Sequence, residues 1–324
     1  MTTNRAGTSR ALPVAATELG LTAEPLVAAK REPLHAHLRA AVDTQLRVLL
    51  ARQEGLRAGD DPEDVHQLRV AARRLRAILR EQGNSLGEAA SELRAELRWL
   101  ASSFGELRDL DVLIEGLTED AALLPEADQA AFFPVLEAFR AHRKEARKLA
   151  MRTLRTARYR KLLQRLADAV LTEEPAAAAR PATSAVGQAA GPKQLISRPY
   201  RKMRKDVARA SDPPTDAELH ELRIRGKRLR YSAEFSAPRG AKQTDRTKQL
   251  IKATKRLQTV LGTHNDLVIA EERLRELLGA ESLDTEAILA AGRLLERRSV
   301  QIEDCRLRWR KEWAVVDKHA RALL

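Results

Sequence analysis

Apolar residues recur every three to four positions along most of the chain, the spacing that puts them on one face of an α-helix. From Glu32 to Leu56 they are Leu34, Leu38, Val42, Leu46 and Leu49, which predicts a first helix ended by Gly55 and Gly59. Asp60 or Asp61 then caps a second helix, with Pro62 in its first turn and a stop near Gly83. A third helix is predicted over about 87–117 and a fourth over about 126–171, bent or broken along its length. The stretch 172–193 is rich in Ala, Pro, Gly, Ser and Thr and reads as a linker. Beyond it, Ile196, Tyr200, Met203 and Val207 mark the inward face of a fifth helix over about 194–210. Asp212 to Thr215 form a turn and cap for a sixth, which Pro238 and Gly240 end. A seventh covers about 244–278, and an eighth runs from about 284 onward. Residues 1–31 carry no clear period and are expected as a flexible tail with room for one short helix. No strand is needed anywhere.

The polar positions are more informative than the apolar ones. In the second helix, His66, Arg69, Arg73, Arg76 and Arg80 lie three or four residues apart and form one narrow cationic stripe. Leu68, Ala72, Leu75 and Leu79 form the apolar stripe beside it. The pattern returns 154 residues later, where His220, Arg223, Lys227 and Arg230 take the places of His66, Arg69, Arg73 and Arg76. Arg228 likewise matches Arg74, although both stand off the stripe. A second pair of motifs follows at an offset of 157. Arg98 and Gly105 match Lys255 and Gly262, and Arg108 and Asp109 match Asn265 and Asp266. Two motifs repeated in one order on both sides of a linker point to a duplication. The predicted fold is all-α: two four-helix bundles, 32–171 and 194–324, related by a pseudo-two-fold axis within one domain.

Composition gives the rails a partner. The formal charge is +13, and the 58 basic residues divide into 44 Arg and 14 Lys. Arginine grips phosphate oxygens in a planar, multidentate way. Two opposed stripes leave excess positive charge in one cleft, which draws in a polyanion. Asp109 and Asp266 are placed to hold a rail arginine each. An Arg-rich composition accounts for much of the bias by itself, but it does not account for the rails. Aromatic residues are 3% of the chain, too few to interleave with bases. That makes nucleic acid an unlikely partner, and a nucleic-acid binder with a general basic surface is kept as the alternative.

The single cysteine, Cys305, rules out an internal disulfide or Cys-based zinc site. His66 and His220 have no HxxxH or HxxE partner and no marked nucleophile, so metal binding and base catalysis are both disfavoured. No Gly-rich phosphate loop or close carboxylate set for Mg²⁺ is present. The expectation is a binding protein, not an enzyme, with no cofactor. No stretch is apolar enough for a membrane span or signal segment, so a cytoplasmic protein is expected.

Four phrases carry a resemblance: VHQLRVAARRLR (65–76), FGELRDLDV (104–112), LHELRIRGKRLRYSAEF (219–235) and LQTVLGTHNDL (257–267). Together and in this order they resemble the CHAD family, the conserved histidine α-helical domain, over about 32–322. The resemblance implies two four-helix bundles around a basic central channel that binds inorganic polyphosphate, with localisation to polyphosphate granules. Sulfate and phosphate are further anions expected in the same channel. It also implies binding roles for His66, Arg69, Arg73, Arg76, His220, Arg223, Lys227 and Arg230. The repeat adds Arg74, Arg98, Arg228 and Lys255 to the candidate site, the first rail adds Arg80, and the second motif adds Arg108, which has no basic counterpart. The acidic triphosphate-processing domain often fused to CHAD has no counterpart here, so the resemblance implies no hydrolase. Glu234 in place of Arg80 and Asn265 in place of Arg108 make the halves unequal.

Overall fold

The computed structural model describes residues 14–29, 32, 34–81, 83–172, 192–235, 241–280 and 282–324. Its helices are α1 (Leu34–Ala58), α2 (Pro62–Glu81), α3 (Gly83–Ser103), α4 (Gly105–Ala121), α5 (Glu126–Leu154), α6 (Ala157–Leu171), α7 (Pro192–Arg209), α8 (Asp216–Phe235), α9 (Ala241–Ala280) and α10 (Thr285–Leu323). The described residues contain no strand, in line with the expected all-α class. The linker stretch 173–191 and the stop at Pro238 and Gly240 lie outside the described residues.

Two of the expected helices are broken, each for a local reason. The third divides at Phe104 into α3 and α4. A continuous helix would present the Ala101 carbonyl to the Gly105 N–H, and here that carbonyl accepts from Arg69 Nη1 at 2.6 Å. A Cβ at Gly105 would sit 3.4 Å from Arg69 Nη1, in contact with the same guanidinium. The fourth divides between α5 and α6, where Thr156 caps α6 by accepting from the Tyr159 N–H at 3.2 Å. The counterpart of the α3–α4 junction runs straight through α9, and nothing lies within 4 Å of a Cβ at Gly262.

Packing divides the chain into two units. In the first, α1 packs on α2, α2 on α3, α3 on α6 and α6 on α1, closing a four-helix ring. Its core holds Val42, Leu46, Leu49, Leu68, Leu75 and Leu97, so the apolar stripe beside the first rail is buried as its spacing predicts. In the second, α7 packs on α8, α8 on α9, α9 on α10 and α10 on α7. Ile196, Tyr200 and Met203 turn inward as expected, meeting Trp309 and Trp313, with Val207 packed partly against them. Cys305 is buried on α10.

The boundary between the units differs from the expected halves in one stretch. Asp120–Val135, the end of α4 and the start of α5, belongs with α7–α10. Charge explains the placement. Buried Arg298 reaches Asp120 through Nε and Nη2, both at 2.7 Å, and Arg293 pairs with Asp128. Arg297 donates to the Leu123 carbonyl at 3.3 Å.

Basic residues run along much of α5, and two of them, Arg143 and Arg147, are structural. Arg143 bonds Asp111 and Asp60, both at 2.6 Å, and Arg147 donates to the Leu56 and Gly59 carbonyls at the end of α1. Burial pushes the Asp111 carboxyl up, and Arg143 opposes the shift. The described part of the expected tail, 14–29, is packed instead of free. Leu19 and Leu21 are buried, the Leu26 N–H donates to Asp43 at 2.7 Å, and Arg47 donates to the carbonyls of Thr22, Ala23 and Glu24. Asp43 is fully buried and holds Arg47 at 2.8 Å, so one carboxylate orders both the strap and its clamp. Asp43→Ala is therefore expected to cost about 3 kcal/mol in urea unfolding, the scale of breaking a buried pair, and to open 22–29 to limited proteolysis.

Candidate anion-binding site

The first rail rises from the buried face of α2 toward α3. Arg69 is half-buried between its bond to Ala101 and the charges around it. Burial lowers the affinity of its guanidinium for a proton most, Asp109 opposes, and Arg73 and Arg108 lower it further. Asp109 thus steadies a rail arginine, as its position predicts. Arg76 is lowered by burial and then by Arg98 and Arg94. Each guanidinium stays charged at neutral pH, so the shifts record burial first and like-charge repulsion second, and a bound anion would offset both. Two cationic groups result, Arg69 with Arg73 and Arg108, and Arg76 with Arg98 and Arg94. Arg73, Arg94, Arg98 and Arg108 form no ion pair among the described residues. His66 is half-buried, and Arg74 and Arg80 are exposed.

The second rail is built differently. Arg223, Lys227 and Arg230 are half-buried, and His220 and Lys255 are exposed. His220 Nδ1 lies 2.6 Å from Asn265 Oδ1. The amide is turned that way because Asn265 Nδ2 donates to Asp266 Oδ1 at 3.3 Å. Nδ1 therefore carries the proton, and Nε2 can donate to an anion only when the ring is the imidazolium. Asp266, expected to hold a rail arginine, serves instead as the anchor of this amide. Glu234 takes Arg230 at 3.5 Å, and the Arg230 guanidinium lies 4.9 Å above the Tyr231 ring. Glu234 thus reduces the second rail's free charge at the position where Arg80 extends the first.

Arg228 does not join this rail. It lines a small cleft between α7 and α8 with Arg198, Lys202 and Arg225. A larger cleft of about 750 Å³ on the first unit is lined by Arg57, Arg140, Arg143, Lys144, Arg147 and Asp60. Arg143 and Arg147 are already committed there to carboxylates and helix-end carbonyls, so its free charge is smaller than its composition suggests.

Sequence reasoning missed two residues. Arg94 precedes Arg98 by one helical turn, and that spacing could have placed it beside Arg76. His264 stands beside Asn265 in the repeated phrase, but nothing in the sequence distinguishes a buried histidine from an exposed one. It is 1% exposed, with Nε2 3.1 Å from Asp216 Oδ1 and off the line that an N–H donor needs. Asp216 opens α8 and also accepts from Arg306 of α10 at 2.5 Å, so His264 sits where α8, α9 and α10 meet.

No metal-competent group of three His, Cys, Asp or Glu residues occurs among the described residues. No described helix is long and apolar enough to cross a membrane.

A family model for the CHAD domain matches residues 40–275. Two uncharacterized proteins from Mycobacterium tuberculosis strains are each 30% identical over 300 residues, 90% of this chain and 54% of theirs. The chain thus spans about half the length of these relatives. The crystal structure of the CHAD domain from the plant Ricinus communis matches with a TM-score of 0.60 and 26% identity, covering 93% of this chain and 96% of that one. PptA from Streptomyces chartreusis matches with the same TM-score at 18% identity, over 87% of this chain and all of its own, a likeness of fold.

Burial pushes the His264 imidazole down, Asp216 opposes and Arg306 reinforces. The folded value then lies below the unfolded one, so the unfolded chain binds more protons. Stability is complete above about pH 6.5, the ordinary histidine value, and is lost as pH falls below it. Thermal melts across this range should show the midpoint falling on acidification, and His264→Gln should flatten that fall.

Proposed function

The chain belongs to the CHAD family, and from that premise we propose that it binds inorganic polyphosphate without processing it, in a basic channel lined by both rails. A polyphosphate-related role holds at the level of the family. The observation that carries the finer reading is the pair of cation groups around Arg69 and Arg76, half-buried and short of carboxylates. A chain of phosphates with one negative charge per unit would neutralise several such cations at once. Affinity would therefore rise with chain length and fall steeply with salt. The site would take phosphate or sulfate more weakly, because each ion meets only part of a rail. Residence in the cytoplasm and recruitment to polyphosphate granules are part of the same proposal.

The alternative, a nucleic-acid binder, has few stacking surfaces among the described residues. Trp309, Tyr159, Phe104 and Phe132 are fully buried, the exposed Tyr231 ring is covered by Arg230, and Phe133 is exposed on α5, away from the rails. Duplex DNA is nonetheless the proper competitor in the test.

Arg69→Ala with Arg223→Ala should weaken long polyphosphate about hundredfold in calorimetry near 0.15 M salt, from the loss of two charge-assisted contacts of about 1.5 kcal/mol each. Arg69 also satisfies the Ala101 carbonyl, so a melt of the variant accompanies the titration. Wild-type affinity in a folded double variant would sink the rail reading, and equal affinity for DNA would favour the alternative. Phosphate release on incubation with Mg²⁺ would expose an enzyme.

A further inference from the structure

The small cleft between α7 and α8 is a different kind of place from the rails. It has a volume of about 130 Å³ and is lined by Arg198, Pro199, Lys202, Arg225 and Arg228, with no acid and no aromatic ring among them. Arg198 and Lys202 stand one turn apart on α7, and Arg225 and Arg228 stand three residues apart on α8. At about 100° per residue, Arg225 and Arg228 point about 150° away from the mean direction of His220, Arg223, Lys227 and Arg230. An anion on the second rail and one in this cleft would therefore lie on opposite sides of α8.

The four cations are not equivalent. Arg225 is fixed from behind, with Nε 2.7 Å from Asp206 Oδ2 and Nη2 2.9 Å from Glu221 Oε1, which leaves its Nη1 donors uncommitted by these pairs. Arg198, Lys202 and Arg228 form no ion pair among the described residues. Asp206 and Glu221 offset two of the four positive charges, so the cluster keeps an excess of two, carried by the exposed Arg198, Lys202 and Arg228, that a bound anion would neutralise.

We infer that this cleft is a separate site for a single phosphoryl group, held by Arg198, Lys202, Arg225 and Arg228. The size sets the unit, because the volume is well below the roughly 300 Å³ at which ordinary small-molecule pockets begin. The charge sets the class. A carboxylate would leave one of the two excess charges unmatched, whereas a phosphoryl group offers several acceptor oxygens and about two charges to a fork of guanidiniums. The lack of a ring gives a nucleoside base nothing to stack on. The group could be free orthophosphate or the terminal unit of a condensed chain. The inference rests on the preference for phosphate argued above, but not on the rails.

The test is calorimetric titration of tripolyphosphate into the full chain at about 0.15 M salt. The variants are Arg69→Ala/Arg223→Ala, Lys202→Gln/Arg228→Gln, and all four changes together. Both positions of the new pair are exposed, so folding should survive, and circular dichroism checks it. The rail variant should keep a residual site, and adding Lys202→Gln/Arg228→Gln should weaken that site at least about tenfold, the loss expected for charge-assisted hydrogen bonds. Absence of a residual site, or its survival in the fourfold variant, overturns the inference. Displacement of tripolyphosphate by orthophosphate assigns the cleft to the free ion, and resistance assigns it to a chain end. Failure of the rail reading would appear separately, as unchanged long-polyphosphate binding by Arg69→Ala/Arg223→Ala.

Discussion

Like charges held side by side at the rim of an apolar core are a standing cost, and much of this protein is arranged around bearing it. Arg69 and Arg76 are each disfavoured first by burial and then by neighbouring arginines. The protein offsets part of this at Arg69 with Asp109 and the Ala101 carbonyl, and leaves the rest. The uncompensated remainder is what distinguishes a binding surface from a structural ion pair. Arg143 makes the contrast: it too is a partly buried arginine, on a longer cationic helix, yet Asp60 and Asp111 both engage it.

The helical class and the core were legible because one rule, apolar residues every three to four positions, governs both. Leu68, Leu75 and Leu79 on α2, and Ile196, Tyr200 and Met203 on α7, are buried where that rule places them. A break in the fourth expected helix was legible, whereas the division of the third was not. The one at Phe104 depends on a guanidinium arriving from another helix, and no local pattern contains Arg69. The allegiance of Asp120–Val135 was equally hidden, since Arg293, Arg297 and Arg298 lie more than 160 residues away in sequence.

For the site, spacing found the rails but could not sort their members. Arg74 and Arg228 occupy matching positions in the repeat, yet Arg228 belongs to a cleft shared with α7. Asp109 and Asp266 also match, and one steadies Arg69 while the other orients Asn265. A repeat in sequence preserves the type of residue at a position. What that residue does depends on the neighbour it meets, and those neighbours differ between the halves. The structural part of Arg143 and Arg147 on α5 is hidden from the sequence for the same reason, because their carboxylate partners come from the α1–α2 turn and from α4.

The junction at Gly105 and its unbroken counterpart at Gly262 have one more consequence. At Gly105 an added Cβ would touch the end of Arg69 at 3.4 Å, the same guanidinium that serves the Ala101 carbonyl. At Gly262 nothing lies within reach of a Cβ. The same small substitution would thus be felt by the rail in one half and pass unnoticed in the other.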